Sequence, residues 1–148
     1  MIYTVTLNPA LDRTIYIEKL STEAPSRILR EESYAAGKGI DVSRVLLELG
    51  FESIAIGFLG GYTGKQIEGL LFNEGINMHF ISVRGETRTN IIIHTFEGEE
   101  YVLNAEGPMI LPDELAAFYD YVKKLPRKPS YVAISGSLPR GISPRIYE

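Results

Sequence analysis

Apolar residues recur along the chain at two spacings, and the switches between them mark out its elements. Residues 2–7, Ile2-Tyr-Thr-Val-Thr-Leu7, are β-branched, aromatic or aliphatic and run into Asn8-Pro9, a turn former and a residue with no N–H to give a ladder, so a strand is predicted there. Residues 14–17 and 27–34 read as two more short strands around a polar loop at 21–26. Over 39–49 the spacing becomes helical, with Val42, Val45, Leu46 and Leu49 on one face, Arg44 and Glu48 off it, and Gly50 as the stop. Residues 53–60 are almost continuously apolar, as in a strand buried on both faces. Thr63 and Gln66 match a capping box ahead of Ile67, Leu70 and Leu71, Gly75 ends that helix, and 77–83 is the next strand.

This succession of strand, helix, strand, helix, strand predicts βαβ units and a doubly wound, mainly parallel α/β sheet. Residues 89–95 and 101–104 break the rhythm and read as an antiparallel hairpin that belongs with the early strand pair. Leu115, Phe118, Val122 and Leu125 restore helical spacing, with Asp113 and Glu114 at one end and Lys123 and Lys124 at the other, both suited to the helix dipole. Residues 131–135 are expected to be another buried strand, with 136–141 the loop at its C-terminal edge, where open α/β sheets bind ligands. Ser143-Pro144 looks like a helix start so close to Glu148 that the sequence is expected to be the N-terminal part of a longer protein.

Composition narrows the classes. The 148 residues, 45% of them hydrophobic with no long apolar run, suit one globular domain and no membrane span. The absence of cysteine and of signal-peptide zones fits the cytosol, and a net charge of −4 without basic runs argues against nucleic acid. An anion would have to be bound locally, and Gly37-Lys38-Gly39 at the mouth of the first helix offers free backbone N–H groups, the positive dipole end and a full charge. It is not a Walker loop, since neither this stretch nor Gly64-Lys65-Gln66 has the spacing or the hydroxyl, and Val42 stands where a dinucleotide fingerprint needs its third glycine. His79 and His94 are isolated and read as structural or surface residues, so no metal site is expected in this stretch.

Five stretches in order carry a resemblance: Thr6-Leu-Asn-Pro-Ala-Leu-Asp12, Gly37-Lys-Gly-Ile-Asp-Val-Ser-Arg44, Gly57-Phe-Leu-Gly-Gly61 with Thr63-Gly64, Glu86-Thr-Arg-Thr-Asn90, and Ser135-Gly-Ser-Leu-Pro139. Together they resemble the PfkB group of ribokinase-like sugar kinases, closest to its 1-phosphofructokinase and tagatose-6-phosphate kinase branch. The resemblance implies the N-terminal part of one ribokinase-like domain, with a lid of strands near 13–35 and 88–105 that also suits a homodimer. It further implies that Asp12 accepts hydrogen bonds from sugar hydroxyls and that Gly37, Lys38 and Gly39 hold the sugar. Arg88 and a lid-borne Arg27 would meet the substrate's phosphate, with Asn90 and Ser137 as further contacts. Three cations converging on a phosphate would suit that role.

Two positions depart from the family pattern. Asp41 stands where asparagine is usual, so a donor near the anion becomes a carboxylate, which would either move the contact to a hydroxyl or point to a different substrate. Asn104-Ala-Glu-Gly-Pro108 only approximates the usual motif, so Glu106 is not assigned. The Gly-Ala-Gly-Asp turn that carries the family's base is not in these residues, nor is its ATP-binding half, so no catalytic residue is expected in this chain. The implied reaction is ATP-dependent, magnesium-assisted phosphoryl transfer to a hydroxyl of a phosphorylated ketose, with this chain supplying the sugar side. The alternatives are a non-catalytic sugar-phosphate-binding module, or a kinase for an unphosphorylated sugar or a nucleoside.

Overall fold

A computed structural model describes residues 1–147. Strands β1 (Ile2–Thr6), β4 (Ser53–Gly60), β5 (Met78–Val83) and β8 (Tyr131–Ile134) form one wholly parallel sheet in the order β5-β4-β1-β8. Strands β2 (Ala10–Ile17), β3 (Ile28–Ala36), β6 (Arg88–Thr95) and β7 (Glu100–Leu103) form a second, in the order β3-β2-β6-β7. There β2 and β3 pair antiparallel, β6 and β7 pair antiparallel, and β2 and β6 join the two hairpins in parallel. The predicted doubly wound α/β sheet and the separate strand pairs are therefore both present.

Helices cover both faces of the parallel sheet. Phe118 of α3 (Pro112–Lys123) packs with Tyr3, Val5, Ile56 and Phe58 on one face. Ile40 of α1 (Lys38–Glu48) and Ile67 and Leu71 of α2 (Gly61–Asn73) pack with Ala55 and Leu59 on the other. Among the described residues no helix is long and apolar enough to cross a membrane.

The buried face of α1 is not the stripe that periodicity picks out. Gly39, Ile40 and Ser43 are buried, whereas Val45 and Leu49 are exposed and Arg44 is half-buried. Small and polar groups make this contact because the helix lies very close to β1. A Cβ on Gly39 would stand 2.6 Å from both Thr6 Oγ1 and the Val5 carbonyl. A hydroxyl seam runs beneath, with Ser43 Oγ 2.7 Å from Thr4 Oγ1 and 3.0 Å from Ser53 Oγ, and Thr6 Oγ1 accepts the Ile40 N–H at 3.0 Å. A hydrophobicity pattern cannot register an interface built from glycine and hydroxyls.

Other expectations are corrected in the same way. Helix α2 starts at Gly61, so Thr63 and Gln66 form no capping box; Glu86 Oε1 from the β5–β6 connection takes the Thr63 N–H instead, at 2.7 Å. Strand β8 forms at 131–134 as expected, beside β1, and Tyr131, Val132 and Ile134 are exposed in this chain, which spans only part of its fold. Strand β2 begins at Ala10 and not at residue 14, so Asp12, just past the end of β1, lies inside it. Glu114 is more than a helix-end charge: it is buried and accepts the N–H groups of Leu111 and Arg84, both at 2.8 Å. Pro144–Tyr147 forms one 3-10 turn with Ser143 Oγ accepting the Arg145 N–H, as the Ser-Pro pair predicts.

Two outcomes follow. Gly39→Ala must push α1 away from β1 backbone, and a loss of ~1–3 kcal/mol is expected in urea unfolding; unchanged stability would show that α1 is not seated this closely. The hydrogen bond from Thr63 N–H holds the Glu86 carboxyl below its usual range. A depressed carboxylate contributes stability above its unfolded pKa and loses it as pH falls through the folded value, so Glu86→Gln should lower the melting temperature at neutral pH and flatten its fall on acidification. Parallel melting curves for the two proteins from pH 7 to pH 3 would contradict this.

Candidate functional site

The cleft lies where the two sheets meet, at the C-terminal edge of the parallel one. It is about 410 Å³ and is lined by Thr6 and Asn8 after β1, Ala10 and Asp12 of β2, and Ala36 at the end of β3. Gly37, Lys38 and Asp41 at the start of α1, Arg88 and Asn90 of β6, Asn104 after β7, and Gly136 and Ser137 after β8 complete it. An enclosed groove under α3, lined by Phe118, Val132 and Ile146, is almost wholly apolar, and an open groove beside β5 brings together only Lys65, Glu68 and His79 as charged or titratable groups. A groove lined by Arg84, Asp113 and Glu114 also holds both signs, but there Arg84 is already paired with Asp113 at 2.5 Å; the cleft between the sheets gathers polar groups of both signs from several elements of both sheets.

Lys38 is the first residue of α1, and among the described residues its ammonium makes no ion pair. Because Thr6 Oγ1 takes the Ile40 N–H and the Gly37 carbonyl takes that of Asp41, the Lys38 and Gly39 amides are left without a protein acceptor among the described residues. This is the electropositive helix mouth expected from the glycines.

Arg88 faces it from the first position of β6 and is fixed by three carbonyl and hydroxyl acceptors. Its Nη1 donates to the Ala105 carbonyl at 3.0 Å, and Nη2 to the Asn8 carbonyl at 2.9 Å and Ser137 Oγ at 3.3 Å. Its Nε is buried and has no partner among the described residues. Burial pulls the guanidinium's pKa below the usual value and the nearby Asp12 carboxylate opposes that, so Arg88 is a half-buried charge short of acceptors. Asn8 braces the same corner, its Nδ2 donating to the Glu106 carbonyl at 3.0 Å and to Ser137 Oγ at 3.3 Å.

Asp12 and Asn90 stand opposite each other on β2 and β6, and Asn90 Nδ2 donates to Asp12 Oδ1 at 2.7 Å. The Ala105 N–H, given to Asn90 Oδ1 at 3.1 Å, fixes the amide in that sense. Asp41, in the first turn of α1, accepts from Tyr34 Oη at 3.0 Å and Arg44 Nη1 at 2.8 Å, both on Oδ1.

Seven of the expected residues thus share the cleft: Asp12, Gly37, Lys38, Asp41, Arg88, Asn90 and Ser137. Gly39 is not on its surface but buried beneath, against β1. Arg27 is not brought in either. It is exposed and precedes β3, whose first residue, Ile28, pairs with Ile17, while Asp12 pairs with Tyr34 at the other end of the hairpin. The cations in this chain's cleft are therefore two, not three. The expected set lacks Thr6, Asn8, Asn104 and Gly136. Thr6, Asn8 and Gly136 stand inside the stretches that carry the resemblance and Asn104 opens the one that only approximates its motif, but nothing in their spacing says that they face the site. The Glu106 carboxylate lies outside the lining, 3.7 Å from Arg140 Nε. His79 stacks on Tyr121 at 3.8 Å and His94 on Tyr16 at 5.2 Å, so both are packing residues.

Comparison with known proteins accords with this geometry. The chain is 36% identical over 148 residues to 1-phosphofructokinase of Bacillus subtilis, covering 100% of this chain and 48% of that protein. It is 36% identical over 147 residues to tagatose-6-phosphate kinase of Staphylococcus epidermidis, covering 99% of this chain and 47% of the relative. Its fold superposes on phosphofructokinase-2 from Escherichia coli in complex with fructose-6-phosphate with a TM-score of 0.86 and 30% identity, over 96% of this chain and 47% of that one. The chain spans about half the length of the curated relatives it matches. With the pfkB family carbohydrate kinase model matching residues 5–148, the chain belongs to that family.

Proposed function

We propose that this chain is the sugar-binding part of a kinase that transfers the γ-phosphoryl of ATP to a hydroxyl of a phosphorylated ketose of the fructose 1-phosphate or tagatose 6-phosphate type. The observation that carries this is the cleft's division of charge. Lys38 and Arg88 supply cationic donors, one beside free helix amides and the other with a spare buried N–H, while Asp12 and Asp41 supply hydroxyl acceptors in the same cavity. A ligand with both a phosphate and hydroxyls uses all four groups. An unphosphorylated sugar would leave two half-desolvated cations without an acceptor.

In this reading Lys38 and Arg88 grip the phosphate, Asp12 and Asp41 orient the ring hydroxyls, Asn90 holds Asp12, and Ser137 shares the phosphate corner with Arg88. Residues 1–148 would form the N-terminal part of one ribokinase-like domain, with the lid sheet over the sugar and the base and nucleotide site in further chain. ATP with magnesium would supply the phosphoryl group and neutralise its charge. The described residues bring together no group of three or more His, Cys, Asp or Glu side chains that would hold a metal ion, and no step is assigned to them there. The lid exposes Ile28, Leu29, Val102 and Leu103, a surface that a second copy would cover; a chain that sediments as a monomer at every concentration would rule this out.

Calorimetric titration with fructose 1-phosphate tests the assignment. Binding without turnover in the presence of ATP is expected of the chain alone. Arg88→Ala should weaken it about 10- to 100-fold, the loss of hydrogen bonds to a charged group, with Arg88→Lys intermediate because it keeps the charge but not the fork. Asp12→Asn should weaken fructose 1-phosphate without weakening inorganic phosphate, from which it removes a like charge. Unaltered affinity in a folded Arg88→Ala chain would remove the phosphate from this site.

A further inference from the structure

The half-buried Arg44 is not on the cleft, yet it is held more completely than any other cation of the first helix. Its Nε donates to Glu74 Oε2 at 2.6 Å and its Nη2 to Glu74 Oε1 at 3.1 Å and to the Ala35 carbonyl at 2.7 Å. Its Nη1 donates to Asp41 Oδ1 at 2.8 Å, and its guanidinium lies 3.9 Å from the centre of the Tyr34 ring. Only 15% of its side chain is exposed. Glu74 caps the C-terminus of α2, where a cation is favoured, so the clamp ties α2, α1 and the end of β3 together at one point.

All of this converges on one oxygen. Asp41 Oδ1 receives both Arg44 Nη1 and Tyr34 Oη, whereas Oδ2 has no protein donor among the described residues. A free carboxylate beside the helix mouth would repel a phosphate there and could rotate. Neutralised by Arg44 and held from two sides, it becomes a fixed acceptor with one oxygen left for the cleft it lines.

We propose that Arg44, with Tyr34 and Glu74, is a positioning residue that locks Asp41 as a hydroxyl acceptor and so fixes the orientation of the sugar. Asp41 in the first turn of α1 then reads an OH, and the ligand's phosphate is left to Lys38 and Arg88. This rests on the reading of the cleft as a ketose-phosphate site, and it predicts that Arg44 acts on the sugar through Asp41 and leaves anion binding alone.

The test is a double-mutant cycle on the 148-residue chain, titrated separately with fructose 1-phosphate and inorganic phosphate. Arg44→Lys, which cannot make the fork or keep the ring contact, should weaken fructose 1-phosphate about tenfold, with inorganic phosphate unchanged. Asp41→Ala should cause a similar loss, and Arg44→Lys in the Asp41→Ala background should add nothing. Tyr34→Phe keeps the ring under the guanidinium and removes only the hydroxyl, and should cost about threefold. If Arg44→Lys melts the chain, as circular dichroism would show, Tyr34→Phe decides the matter alone. Full affinity in Arg44→Lys or in Tyr34→Phe, losses that multiply in the double variant, or equal weakening of inorganic phosphate would each overturn the clamp while leaving the site assignment standing. No binding of fructose 1-phosphate by the unsubstituted chain would overturn both.

Discussion

The close seating of α1 on β1 is the constraint from which the cleft follows. Thr6 serves both elements at once: its Oγ1 takes the Ile40 N–H, and Gly37 and Gly39 both approach its side chain too closely for a Cβ. That contact sets where Lys38 and Asp41 stand, because both leave the first turn of the helix it anchors. A helix held at ordinary distance by Val or Leu would carry the same two side chains away from β1, and the distance to Arg88 on the other sheet would grow with it. The hydroxyl seam of Thr4, Ser43 and Ser53 continues the same close approach, with every hydroxyl paired, so desolvation is offset without bulk.

The second sheet is coupled to the first through the site itself. Asn8, just past β1, offers its carbonyl to Arg88 of β6 and its side chain to Glu106 and Ser137, so four segments meet at one asparagine. Asp12 and Asn90, two strands into the lid, are joined by the shortest hydrogen bond of the cleft's lining side chains and tied back by the Ala105 N–H. The lid is thus not a loose flap over this cleft. Its inner end lines the cleft, and its outer end, with Ile17, Ile28 and Thr95, lies away from it.

Much of this was legible in the sequence, for reasons that differ by element. The strand-helix order and the pairing of two hairpins followed from switches of period, and the electropositive helix mouth from Gly37-Lys38-Gly39. What failed has a common cause. Val45 and Leu49 looked like a core stripe because periodicity weighs apolar residues, yet the buried contact uses Gly39 and Ser43, which such a pattern scores as neutral. Glu86 could not be foreseen as the partner of α2, since the contact spans 23 residues and no local rule reaches that far. Arg27 is implied as a site residue by resemblance alone, and within this chain the antiparallel register, set by the hairpin as a whole, places it at the far end from Asp12.

Charge bookkeeping in the cleft limits what can fill it. Two carboxylates and two cations share its walls, and Asp12 is near enough to Arg88 to act on its protonation. Opposite charges about 4 Å apart gain on the order of 4 kcal/mol at the effective dielectric of a partly buried site, and like charges lose the same. A phosphate ion alone would collect the gain at Lys38 and Arg88 but face Asp12 and Asp41 with nothing to offer them. A neutral polyol would satisfy the carboxylates and leave Arg88 Nε unpaired. A ligand whose anionic end and hydroxyl-bearing body are separated by a few bonds would satisfy both walls together, and this is the reason for proposing a sugar phosphate over either of its halves.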